Sequence, residues 1–126
     1  VDSWGRWAES CCRVGAYDEA IVKAATGFHT GEELQKKNPD DTKITDSVIE
    51  CVINYLRALP QVSSDQGDVS DRTVHRIVDY VRSYGNVVSI RKRTYLRDAL
   101  DSAISQLGAT SKTGNSLRHA REALTN

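Results

Sequence analysis

Between residues 82 and 97 the chain carries Arg82, Arg91, Lys92, Arg93 and Arg97 without one acidic residue, and Tyr84 and Tyr95 are set among them. Cations at this density neutralise phosphates or carboxylates, and tyrosine rings can stack on unpaired bases or cover a partner's apolar atoms. Arg82, Tyr84, Arg91, Lys92, Arg93, Tyr95 and Arg97 are therefore the candidate binding residues, for an anionic ligand that is RNA or an acidic peptide. The plain alternative is a solvated basic helix face, with Arg97 pairing to Asp101 one turn on. Arg91, Lys92 and Arg93 are consecutive, so on a helix they fan over about 200° of arc and cannot all meet one buried partner. At least two of them are expected in solvent, beside Arg82 or Arg97.

Other candidates for chemistry are weaker. His29, His75 and His119 are scattered and form no two-histidine helical metal pair. His75 and Asp79 share a helix face, which suits a surface hydrogen bond. Cys11, Cys12 and Cys51 are an odd number with one adjacent pair, a poor disulfide framework without a Cys-x-x-Cys spacing. They read as free thiols, because a nucleophilic thiol needs a base or cation to depress its pKa and no histidine partner is identifiable. Asp65, Asp68 and Asp71 recur every third residue, but a calcium loop needs ligands at alternate positions and a closing glutamate. Gly108, Ser111, Lys112, Thr113 and Gly114 suggest a phosphate cradle, yet the lysine precedes the second glycine and no strand feeds the loop. No catalytic, cofactor-binding or metal-binding residue emerges, so the chain is not expected to be an enzyme or to take a cofactor.

What must position these residues is helical. With 126 residues, 39% of them apolar, and only two prolines and eight glycines, the chain suits one domain with long helices and its own core. The first helix sets Trp4, Trp7, Ala8, Cys11 and Cys12 on one face, is capped by Asp2 or Ser3, and ends at Gly15. A second helix with Tyr17, Ala20, Ile21, Ala24 and Phe28 folds back on it, and residues 29–43 read as a polar connection. Ser47 and Glu50 form a capping box for a third helix, whose broad apolar face from Val48 to Leu59 makes it central, with Pro60 as its stop. A loop over residues 61–70 leads to a fourth helix, capped by Ser70 or Asp71, burying Val74, Ile77, Val78 and Val81 and closing at Gly85. A fifth starts between Ser89 and Thr94 and runs through Leu96, Ala99, Leu100, Ala103 and Ile104 to Gly108. A sixth starts near Asn115, with Leu117, Ala120 and Leu124 on its face. No segment alternates as a strand does.

In the first thirty-one residues Trp4, Ala8, Gly15, Tyr17 and Ala20 fall in register with the pattern of a tetratricopeptide repeat, and the run Tyr17-Asp18-Glu19-Ala20-Ile21 resembles that family's second helix. Trp7 stands where leucine is usual, Gly27 where a small alanine packs, and Glu32 where the closing proline belongs. No second copy follows at the family's spacing. The resemblance implies stacked helix pairs and a protein- or peptide-binding role, with no catalytic residues; Trp4, Trp7, Tyr17, Ala20 and Ile21 would then meet at one helix–helix contact.

Charge narrows the partner. Seventeen basic and seventeen acidic residues cancel, but residues 1–60 hold seven against ten and residues 61–126 hold ten against seven, a split of −3 and +3. No apolar run is long enough to span a membrane, and no signal peptide is visible. A start at Val1 in a chain with no methionine suggests a trimmed or processed product. The sequence thus predicts an all-α single domain over residues 1–126, with about six helices in antiparallel hairpins as an irregular bundle or short stack. The expected function is a non-enzymatic protein–protein interaction module with another protein or an acidic peptide as partner, intracellular and cytoplasmic, and without a membrane partner. The alternative is an RNA-binding helical protein such as a nucleocapsid- or coat-like subunit; homo-oligomerisation is left open.

Overall fold

A computed structural model describes residues 2–62 and 67–125. Six helices follow one another: α1 (Asp2–Arg13), α2 (Tyr17–Lys37), α3 (Thr42–Ala58), α4 (Gly67–Tyr84), α5 (Ile90–Leu107) and α6 (Lys112–Ala123), with one 3₁₀ turn at Leu59–Gln61 after α3. The fold is all-α, and no strand occurs among the described residues. Asp65 and the side chains of Asp68 and Ser70 lie outside the described residues.

Side-chain pairings give the directions. Gly5 and Cys12 of α1 meet Asn54 of α3, and Cys12 also feels Arg57 one turn further on, so α1 and α3 run the same way. Lys92, near the start of α5, meets Asp46 and Glu50 in the first half and middle of α3, and Gln106, near the end of α5, meets Gln61 just after α3, so α5 is parallel to α3. The even-numbered helices run opposite. His29, Glu32 and Gln35 of α2 pair in order with Thr73, Arg76 and Tyr80 of α4. Lys112, the first residue of α6, meets Asp71 in the first half of α4, and Leu124, just after α6, packs at Gly85, just after α4. Consecutive helices thus alternate in direction, with α1, α3 and α5 side by side.

The core follows the sequence periodicity: Phe28, Ile49, Ile53, Leu56, Ile77, Leu96, Leu100 and Leu117 are all fully or almost fully buried. As expected, α3 is central. Helix boundaries differ from expectation: α4 already begins at Gly67, inside the stretch expected as a loop and before Ser70 and Asp71, and three other boundaries shift for a local reason. Residues 29–37 continue α2, because Gly27, Gly31 and Gln35 lie on its buried face and the polar residues between them face outward. A Cβ on Gly27 would stand 2.6 Å from both Cys51 Sγ and Trp4 Cβ, so this glycine permits the close packing of α1, α2 and α3. The start of α3 is Thr42, because Asp41 Oδ1 accepts from the Lys43 and Ile44 amides, and Ser47 and Glu50 lie inside the helix. Ser111 Oγ accepts from the Gly114 amide and caps α6 three residues earlier than expected.

Trp7 also departs from expectation. It is 49% exposed rather than buried between α1 and α2. Its indole lies parallel to that of Trp4, with centroids 5.6 Å apart, and Lys23 Nζ stands 3.9 Å from the Trp7 centroid and 5.5 Å from that of Trp4. The three form a triangle that covers one side of Trp7 and leaves the rest in solvent. Ala8, Cys11, Ala20 and Ile21 fill the contact instead.

Candidate functional site

Since α1 and α5 both pack on α3, a groove opens between them with α3 as its floor. On the floor Asp46, Glu50, Ile53 and Arg57 recur at helical spacing along one stripe. Glu9 of α1 forms one wall; Ser89, Arg91, Lys92 and Tyr95 at the start of α5 form the other, around a cleft of about 560 Å³. Arg6, Lys43 and Ser47 extend the same lining past Asp46.

Ser89 fixes the start of α5 by accepting from the Lys92 amide at 3.2 Å. The first turn then fans its three cations, 100° apart, to three destinations. Arg91 is exposed toward the groove, where its Nε donates to the Tyr95 hydroxyl at 3.2 Å and its guanidinium lies 5.8 Å from that ring's centroid. This bond, with the local field of the phenol, raises the Arg91 pKa above its ordinary value. Lys92 is half-buried; its Nζ donates to the Asp46 carbonyl at 3.2 Å and lies 3.5 Å from Glu50 Oε2. Arg93 turns to the other side of α5. Its Nη2 donates to the Asn86 carbonyl at 2.8 Å and the Val88 carbonyl at 3.2 Å, and its Nη1 meets Thr125 Oγ1 at 3.4 Å.

The basic stretch is therefore not one patch. Tyr84 stacks on Tyr80, with centroids 4.7 Å apart, at the crevice between α2 and α4. Arg82 is exposed near the end of α4 and makes no ion pair among the described residues. Arg97 is half-buried, with Nη2 at 3.5 Å from Thr94 Oγ1, and Asp101 pairs with Arg121 of α6 at 2.8 Å. Arg91, Lys92 and Tyr95 come together in the groove; the other four candidates do not join them.

Sequence reasoning missed Arg57. It is exposed on the groove floor, with no ion pair among the described residues. Its place eleven, seven and four residues after Asp46, Glu50 and Ile53 was legible in the sequence, but nothing there said that α5 would bring Arg91 and Tyr95 alongside. Glu9 is held by Arg13 at 2.8 Å. The open edge of the groove thus offers Arg57, Arg91 and the 46% exposed ring of Tyr95.

The remaining candidates have structural surroundings. Cys11 and Cys51 are buried, and Cys12 donates to the Asn54 carbonyl at 3.8 Å. Burial pushes the Cys12 pKa up although Arg57 opposes the shift, so its thiol is held protonated. His75 and Asp79 are both exposed. Lys112 pairs with Asp71 at 3.1 Å. Gly114 is in close contact with the Gly108 carbonyl, which fills the turn where a phosphate would have to sit. Among the described residues no group of three His, Cys, Asp or Glu side chains could hold a metal ion, and no helix is long and apolar enough to cross a membrane. Compared with protein-family models, curated proteins and solved structures, the chain matches none.

Proposed function

We propose that this chain is a non-enzymatic protein-interaction module whose groove over α3 receives an acidic segment of a partner protein. One observation carries this reading: Arg57 and Arg91 flank the groove without an ion pair among the described residues, beside the exposed ring of Tyr95. A carboxylate that reaches these guanidiniums gains charge-assisted hydrogen bonds, and a neighbouring apolar side chain covers the Tyr95 ring. The likeness of residues 1–31 to a peptide-binding repeat family points the same way. The test is fluorescence anisotropy with a short labelled peptide of alternating Asp and Leu. Arg57→Glu with Arg91→Glu should weaken binding by about tenfold or more, with thermal stability unchanged. A peptide that fails to bind the unaltered protein at millimolar concentration, or that ignores both substitutions, sinks the proposal.

The RNA reading keeps one observation in its favour, the exposed Tyr95 ring beside Arg91, which could stack on a base. It loses the continuous cationic track, because Lys92 is neutralised by Glu50 and Arg93 is absorbed by backbone carbonyls. Titration with poly(U) at two salt concentrations discriminates: tight binding with a steep salt slope favours RNA.

A further inference from the structure

The hydrogen bonds around Arg93 reach beyond the groove. Residues 123–125 leave α6 and pass across the loop that joins α4 to α5. Leu124 is buried, and a Cβ on Gly85 would stand 2.6 Å from its Cδ2, so the loop and this strap pack directly against each other. Asn86 ties them from the loop side. Its Nδ2 donates to the Ala123 carbonyl at 2.9 Å, and its Oδ1 accepts from the Thr125 amide at 2.9 Å and the Thr125 hydroxyl at 3.2 Å. Arg93 ties them from the helix side, through Asn86 and Val88 carbonyls and Thr125 Oγ1, and its Nε is itself buried. The first turn of α5 is thus held at two points on opposite sides, by Lys92 against α3 and by Arg93 against loop and strap. Arg91 and Tyr95, between them, project into the groove.

We infer that Arg93, Asn86 and the strap at 123–125 are positioning elements for the groove, and that strap and groove are energetically coupled. The inference rests on the groove reading above. Its physical basis is preorganisation. A ligand that needs Arg91 and Tyr95 in one place binds more weakly when the turn carrying them must first be ordered. Coupling is reciprocal, so a ligand in the groove must steady the strap by the same factor by which the strap aids the ligand. Arg93 does not touch the ligand, and its guanidinium is spent on carbonyls, so its effect differs from that of a contact cation.

The experiment combines affinity for the labelled Asp-Leu peptide at two salt concentrations with amide hydrogen exchange. Arg93→Lys keeps the charge but loses the fork that grips two carbonyls; Asn86→Ala removes the strap's bonds and leaves every charge in place. Both should weaken the peptide severalfold, with the salt slope unchanged, and both should speed exchange across residues 90–94. Arg91→Gln should weaken the peptide and also flatten the salt slope, because a contact cation has gone. In the unaltered protein, peptide binding should slow exchange of the Leu124 and Thr125 amides. Faster exchange in the variants with unchanged affinity, or no protection of the strap on binding, overturns the coupling and leaves the groove reading standing. A peptide that ignores Arg91→Gln as well sinks the groove reading itself. Should Arg93→Lys fail to fold, Asn86→Ala and the protection of Thr125 still decide.

Discussion

Thr45 and Asp46 are neighbours on α3, yet they enter two regions in opposite states. Thr45 belongs to a buried hub around Gln35, which is 1% exposed. There Gln35 Oε1 accepts from Thr45 Oγ1 at 3.0 Å and the Tyr80 hydroxyl at 2.8 Å, and its Nε2 faces the carbonyls of Asn38, Pro39 and Asp41 at 3.1, 3.2 and 3.4 Å. Each polar atom of the Gln35 side chain has a partner. Asp46 belongs to the groove, where Arg57 and Arg91 are exposed and make no ion pair among the described residues. Polar groups that water cannot reach must be satisfied inside the fold, whereas exposed charges can wait for a ligand at little cost. The hub therefore decides which fold forms and where α2 stops; the groove decides what the fold can bind.

Substitutions should separate the two regions by size of effect. Gln35→Ala strands the Tyr80 hydroxyl and takes the side-chain donor from the Pro39 carbonyl, while the Asn38 and Asp41 carbonyls keep the amides of Asp41 and Thr45; it should cost about 3 kcal/mol of unfolding free energy in urea titration. An effect as small as that of a surface change would mean that water repairs the hub. Gly27→Val, about two turns before Gln35 on α2, drives methyl groups into Cys51 and Trp4 and should cost about 2 kcal/mol by the same measurement. Trp7→Ala should cost only about 1 kcal/mol, since half the ring is already in water and the loss is chiefly the stack on Trp4 and the Lys23 contact. A loss of several kcal/mol would return Trp7 to the core.

Smaller still is a pH effect at the α2–α4 seam. His29 hydrogen-bonds Thr73 at 3.3 Å, and burial first, then the Arg76 charge, lower its pKa, with Glu32 opposing. A histidine depressed in the fold is protonated more readily when unfolded. Stability is then full above the unfolded pKa and falls as pH drops from there through the lower folded one, on the acidic side of about pH 7. The melting temperature should decline over that range, and His29→Gln should flatten the decline; an identical slope in the variant would remove His29 from the seam's electrostatics. Least of all, Arg57→Glu and Arg91→Glu should leave stability within about 0.5 kcal/mol while changing binding, the reverse of Gln35→Ala.

Helical class, the central place of α3 and most core residues are set by the sequence alone, because apolar residues spaced three and four apart can satisfy both backbone and burial in only one way. A start of α5 between Ser89 and Thr94, and its end at Gly108, which has φ 92°, were legible from equally local signals. The extension of α2 through residues 29–37 was not, since the stretch reads as a polar connection until neighbouring helices come close enough to bury Gly31 and Gln35 on one face. The fate of Arg91, Lys92 and Arg93 was not legible either. Their order says only that they point 100° apart; which one meets a carboxylate, which a strap and which the solvent depends on α3, on residues 123–125 and on the open side of α5. Those neighbours are distant in sequence, and only the packed structure brings them together.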